Sequence, residues 1–141
     1  MKAIGESVFE MLTADKSDGS FYDRVSGRVT PEFGHQGNDT PYCIYDLLAT
    51  NTSRKSFGSA DMVHECTYEI STFSRVEDGA ADLAEISDLA VGLVNGTEDA
   101  SATGFQRIVY DVLQGTTIER ADDMLMATIV VRAKGIQTSG T

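Results

Sequence analysis

Two stretches of this chain repeat with a period of two, and that repeat limits the fold more than any other feature. Cys66, Tyr68, Ile70 and Thr72 alternate with Glu65, Thr67, Glu69 and Ser71. Leu125, Ala127, Ile129, Val131 and Ala133 likewise share one side, opposite Met124, Thr128, Arg132 and Lys134. Successive side chains of a strand point to opposite faces, so this pattern predicts strands with one buried face. A third segment, with Ile108, Tyr110 and Val112 on one side, predicts a further strand ahead of the last. Strands of this kind commit the chain to a sheet laid against a core.

Upstream, Pro41 marks where a polar loop, Gly34 to Thr40, becomes a strand, because proline fixes its own φ and biases the preceding residue towards extended geometry. Tyr42 to Leu48 is apolar or aromatic on both faces except at Asp46, which predicts a strand covered on both sides. Tyr22 to Thr30 is expected to form a short strand of mixed polarity. Asn51 to Asp61, containing Arg54 and Lys55, is expected to be an exposed connection between antiparallel neighbours.

Helical spacing occurs twice. From about Lys2 to Ala14, Ile4, Val8, Met11 and Leu12 form one stripe with Phe9 beside it, and the polar run from Asp15 to Ser20 halts the helix. From about Asp78 to Val94, Leu83, Ile86, Leu89, Ala90 and Leu93 form an inner stripe, with Asp82, Glu85 and Asp88 on the remaining surface. Asp78 is the expected N-terminal cap, and Asn95-Gly96 the expected end. Thr97 to Gly104 is a polar connection. The predicted order is α-β-β-β-α-β-β: an α+β fold with a mostly antiparallel sheet of about five strands and two helices packed on one face. Residues 1–135 are expected to form one domain and 136–141 a loose tail.

With 22 acidic residues against 11 lysines and arginines, the net charge is -11. Such a balance argues against a protein that grips nucleic acid by neutralising phosphates. Cys43 and Cys66 are the only cysteines, too few for a disulfide framework, and they read as buried free thiols. No signal peptide or membrane-spanning run is legible, so the expected setting is a reducing cytoplasm and the Asn-x-Ser/Thr triplets at Asn38, Asn51 and Asn95 are read as accidental.

The patterns that carry catalysis are missing: no glycine-rich phosphate loop, no nucleophile elbow, no metal-ligand spacing. His64 and Cys66 would point the same way from one strand, and His35 and Cys43 would complete four ligands. Their spacings match no zinc motif, so they read as two core thiols and two surface imidazoles. Acid pairs such as Glu77-Asp78 and Asp122-Asp123 follow from the abundance of acids. Tyr42, Tyr45 and Tyr68 read as packing residues, since a base-stacking platform needs a basic groove that is lacking. No catalytic, cofactor or metal residue is therefore assigned. Arg54 and Lys55, the one local basic cluster, are the candidate docking loop.

A short N-terminal helix and a strand lead to Pro41-Tyr-Cys-Ile-Tyr45, then Thr67-Tyr-Glu-Ile-Ser-Thr-Phe-Ser74, then Ala80-Ala-Asp-Leu-Ala-Glu-Ile86 and a final pair of long strands. This ordered set, from about Ile4 to Gly135, resembles the tail completion or tail terminator family of long-tailed bacteriophages and their prophages. The resemblance implies a structural virion protein and not an enzyme. Such a protein forms a ring, typically hexameric, on the head-proximal end of the tail tube and is assembled in the bacterial host cytoplasm. It implies as partners further copies of the chain, the tail tube protein and a head-side connector. DNA would pass through the channel without specific binding, and the surplus acids would line that channel. A head–tail adaptor or stopper ring, an acidic DNA-mimic or inhibitor module, and a small enzyme without a motif are the competing readings.

Overall fold

The computed structural model describes residues 2–31, 39–54, 62–101 and 104–137. They form α1 (Lys2–Thr13), α2 (Phe21–Arg24), β1 (Val29–Pro31), β2 (Tyr42–Arg54), β3 (Met62–Arg75), a 3₁₀ turn (Val76–Asp78), α3 (Ala80–Val94), β4 (Glu98–Asp99), β5 (Phe105–Ala121) and β6 (Met124–Gln137). The fold is α+β, a six-stranded sheet in the order β1-β2-β3-β6-β5-β4 with three helices. Among the described residues the β1–β2 pairing is parallel and the other four are antiparallel.

The period-two segments fold as their pattern dictates. Cys66, Tyr68, Ile70 and Thr72 of β3 and Leu125 to Ala133 of β6 turn their buried members to one face. On that face α1 and α3 lie side by side. Ile4, Val8 and Leu12 bring α1 onto the β2–β3 side, where Phe9 lies against Tyr45 (ring centroids 6.4 Å apart) and Gly5 approaches the Tyr68 hydroxyl. Leu83, Ile86, Ala90 and Val94 bring α3 onto β3, β5 and β6. Each fully buried Leu or Ile of this kind contributes roughly 1.5–3 kcal/mol relative to exposure.

Several expectations are corrected. Tyr22 to Thr30 is not one strand: Ser20 accepts a hydrogen bond from the Asp23 amide (3.2 Å) and caps α2, which buries Phe21 and Val25 one turn apart. Ser26 (φ 52°) and Gly27 (φ 72°) then reverse the chain into the three residues of β1. The cap position of α3 is Gly79, with no side-chain cap, because Asp78 belongs to the 3₁₀ turn before it. Polar Thr97 to Gly104 contains β4, and β2 runs on through Asn51 to Arg54, paired with Met62 to Glu65. Strand β6 includes Ile136 and Gln137, which sequence pattern assigned to the tail.

A last correction concerns Tyr42 to Leu48. Among the described residues, β2 is covered by helix on one face only, and Leu47 and Leu48 are exposed. Its apolar content is greater than its position in one chain requires.

Candidate assembly surface

The helix-free face of the sheet is built from the alternate residues of four strands. One row across it runs Tyr42, Phe73, Met126, Glu119; the next runs Ile44, Ser71, Thr128, Thr117. Tyr42 and Phe73 stack with centroids 4.9 Å apart. Further along, Asp46 lies opposite Glu69, Ala49 opposite Thr67 and Asn51 opposite Glu65. Arg132 bonds Asp111 (3.1 Å) and Lys134 lies 3.7 Å from Glu65. Half-exposed pairs of this sort contribute little, about 0–1 kcal/mol each. Asp46 and Glu69 are like charges directly opposite one another, an arrangement that costs stability in a lone chain. The face is therefore apolar at one end and mixed, with an acidic excess, along the rest.

On the helix side, a hollow of about 390 Å³ opens between α1, the end of α3 and β4, lined in part by Glu10, Met11, Leu93 and Asp99. At its wall the Tyr110 hydroxyl donates to Ser7 Oγ (2.6 Å), and Ser7 Oγ donates to Asp99 Oδ2 (2.5 Å). Asp99 Oδ1 accepts from the Ser101 amide and hydroxyl. Partial burial alone would raise the Asp99 pKa, but the bonds from Ser101 and Ser7 outweigh it and hold the carboxyl below its ordinary 3.8. Burial drives the Tyr110 hydroxyl well above its ordinary 10, against the opposing bond to Ser7. Ser7 has both hydrogen-bonding roles occupied, so the trio clamps α1 to β5 and β4. Sequence pattern missed it because its members are 92 and 103 positions apart. The one local signal was a serine between Ile4 and Val8 on an apolar stripe.

The residues singled out from sequence are spread over the molecule. Arg54 is the last residue of β2, at the end of the sheet opposite the Asp122–Asp123 turn; its side chain, together with Lys55 and His35, lies outside the described residues. Cys43 and Cys66 are free and buried, and burial pushes the Cys43 thiol up to about 12. His64 is not a surface imidazole. It is buried, with Nδ1 2.9 Å from Thr52 Oγ1, Nε2 2.6 Å from Gln137 Oε1, and its edge on Phe105. It therefore ties together the ends of β2, β3 and β6. Among the described residues no cluster of three His, Cys, Asp or Glu is placed to hold a metal ion. Tyr45 and Tyr68 pack in the core, as the packing reading expects.

No family model matches the chain, and no curated protein matches it. Solved structures do. A chain in the virion of a native gene transfer agent particle aligns with a TM-score of 0.68 over 92% of this chain and 91% of that one, at 17% identity. A second solved structure aligns with a TM-score of 0.62 over 100% of this chain and 99% of that one, at 12% identity. At these identities the likeness is one of fold, and it extends end to end.

Proposed function

We propose that this chain is a structural virion protein, a tail terminator that forms a ring on the head-proximal end of a phage-type tail tube. The observation that carries the reading is the end-to-end fold likeness to a chain of a phage-like virion particle. The resemblance of the ordered segments from Ile4 to Gly135 to the tail terminator family supports the same reading. In this role the ring stops tube growth and presents its upper surface to a head-side connector. The role needs no catalytic chemistry.

The sheet geometry suits the task. The two ends of the sheet, one at the Asp122–Asp123 turn with Arg75, Glu77 and Arg120 beside it and the other at the end of β2, are the surfaces we assign to tube and connector. The helix-free face, with Asp46, Glu65, Glu69 and Asp111 against Arg107, Arg132 and Lys134, is the face assigned to the channel. Its excess of carboxylates would repel phosphate and let DNA pass unheld.

Deleting the gene from the genome that produces the particles tests the role. Negative-stain images are expected to show headless tails of uncontrolled length, restored to one length by the wild-type gene. Tails of normal length that fail to join heads would instead identify an adaptor or stopper ring. Unchanged, joined particles would refute both.

A further inference from the structure

We propose that copies of this chain join side by side through their two short strands. Strand β1 of one copy and β4 of the next lie end to end in one lane, between β2 of the first copy and β5 of the second. This deepens the ring of the proposed function and rests on that reading for where the ring sits.

The two edges of the sheet are complementary in outline. On one, β1 covers Cys43 to Tyr45 and, among the described residues, Asp46 to Arg54 stay bare. On the other, Gly96, Thr97 and β4 cover Ile108 to Tyr110, and Leu113 to Ala121 stay bare. Heights follow from the pairings across β3 and β6. Asn51 pairs with Glu65, Glu65 with Lys134, and Lys134 with Val109, the partner of Glu98 in β4. Thr30 of β1 pairs with Ile44, Ile44 with Ser71, Ser71 with Thr128, and Thr128 with Thr117. Each short strand is therefore level with the bare stretch of the opposite edge. Two copies side by side in one orientation set β4 against bare β2 and β1 against bare β5.

Direction and hydrogen bonding agree in both halves. Three antiparallel pairings make β2 antiparallel to β5; β1 runs with β2 and β4 against β5, so the short strands point the same way in the shared lane. Backbone N–H and C=O groups of successive strand residues turn to alternate sides. The Cys43 amide donates outward to Arg28 O (2.8 Å), and counting on through the slip at Leu48 turns Thr50 and Thr52 outward too. They flank the level of Glu98, as Cys43 and Tyr45 flank Thr30 in the parallel pair already present. On β5 the Tyr110 amide donates outward to Thr97 O (2.9 Å), and the same count by levels turns Ile118 outward. Ile118 then faces Val29, whose carbonyl points away from β2 because Arg28 supplies the acceptor there.

Side chains support the same contact. Proteins normally guard open edges with charges or prolines, yet Leu47-Leu-Ala-Thr-Asn-Thr-Ser53 and Leu113-Gln-Gly-Thr-Thr-Ile118 contain neither. Copies with a net charge of -11 repel one another, so uncharged stretches are where they can approach closely. Leu48 and Leu113, each 51% exposed, fall at slips between the level of β1 and that of β4, where the two short strands would meet. Arg54, two residues past Thr52, comes beside the stretch of the neighbour that carries Glu98 and Asp99. The contact joins two different surfaces of one chain, so it repeats from copy to copy, and being level it adds no climb along the strands.

Asn51→Cys and Glu98→Cys proteins, prepared separately, mixed and treated with a short thiol cross-linker, test one half of the contact; Thr30→Cys and Thr117→Cys test the other. Both native thiols are buried, so the new ones dominate. Each mixture is expected to give cross-linked dimers that neither of its variants gives alone, and a chain with Asn51→Cys and Glu98→Cys together a ladder ending in a closed species. Asn51→Cys mixed with Thr117→Cys, about 20 Å apart along the strands, should give none. Asn51 is exposed, so its substitutions leave the core intact. Asn51→Glu sets a second carboxylate level with Glu98 and should raise the dissociation constant in sedimentation by up to about fivefold, whereas Asn51→Lys should lower it by a similar factor. Absence of either link, a 51–117 link as strong as the 51–98 link, the same effect from Asn51→Glu and Asn51→Lys, or a parent chain that stays monomeric at its highest soluble concentration would each overturn the contact. The outcomes also separate the two readings. A ladder from a chain absent from virion particles sinks the virion role alone, whereas a chain present in particles without the 51–98 link sinks the contact alone.

Discussion

Removing the Ser7 hydroxyl should cost more than removing the hydroxyl that points at it. In Tyr110→Phe, Ser7 keeps its bond to Asp99 and the molecule loses one buried hydrogen bond, worth about 1 kcal/mol. In Ser7→Ala, both bonds go at once. The fully buried Tyr110 hydroxyl is left without its acceptor, a penalty of about 1–3 kcal/mol, and Asp99 loses one of its donors. The expected cost of Ser7→Ala is therefore roughly 2–3 kcal/mol, against about 1 for Tyr110→Phe. The double variant should be no less stable than Ser7→Ala, since it removes the orphaned hydroxyl as well. Urea unfolding of the four proteins at one fixed concentration reads all of this as midpoint shifts at constant slope. In thermal unfolding the Tyr110→Phe shift should be about 2–5 °C for a chain of this size. Equal costs for the two single variants, or strict additivity in the double, would refute the idea that Ser7 is the shared centre of the trio.

Other consequences follow from single contacts. Acidification should weaken the wild type more than Asp99→Asn: a carboxyl held below its ordinary pKa stabilises the fold above 3.8 and loses that contribution as pH falls through its lower folded value, so the two unfolding curves should converge in that window. Gly135→Ala would place a Cβ 2.8 Å from Phe105 Cδ1 and should cost about 1–3 kcal/mol in denaturant melts. Glu69→Gln, which removes the like-charge opposition to Asp46, should stabilise the isolated chain by about 0.2–1 kcal/mol. If the helix-free face lines the channel, Asp46→Asn, Glu65→Gln, Glu69→Gln and Asp111→Asn combined should slow DNA ejection from particles, and an unchanged ejection rate would remove that face from the channel.

Much of the fold is written locally. The alternation from Cys66 to Thr72 and from Leu125 to Ala133 named the buried face residue by residue, because a strand's side chains alternate whatever it pairs with. The stripes of α1 and α3 were equally legible, with Ile4, Val8, Leu12 and Leu83, Ile86, Ala90 buried as spaced. Short elements were less so. In α2 a serine cap and one pair of buried residues, Phe21 and Val25, decide four residues that a polarity pattern reads as strand.

Tertiary structure alone decided which strands are outermost. The apolar run from Tyr42 to Leu48 predicted cover on both faces; sheet order left one face without helix and exposed two leucines. No local pattern records that Leu48 and Leu113 fall at register slips, since each slip exists only in the pairing with the neighbouring strand. Ser7, Asp99 and Tyr110 meet for the same reason. The sequence by itself determined which side of each element is apolar, a property of neighbours a few residues apart; the packed sheet determined which of those sides remain open.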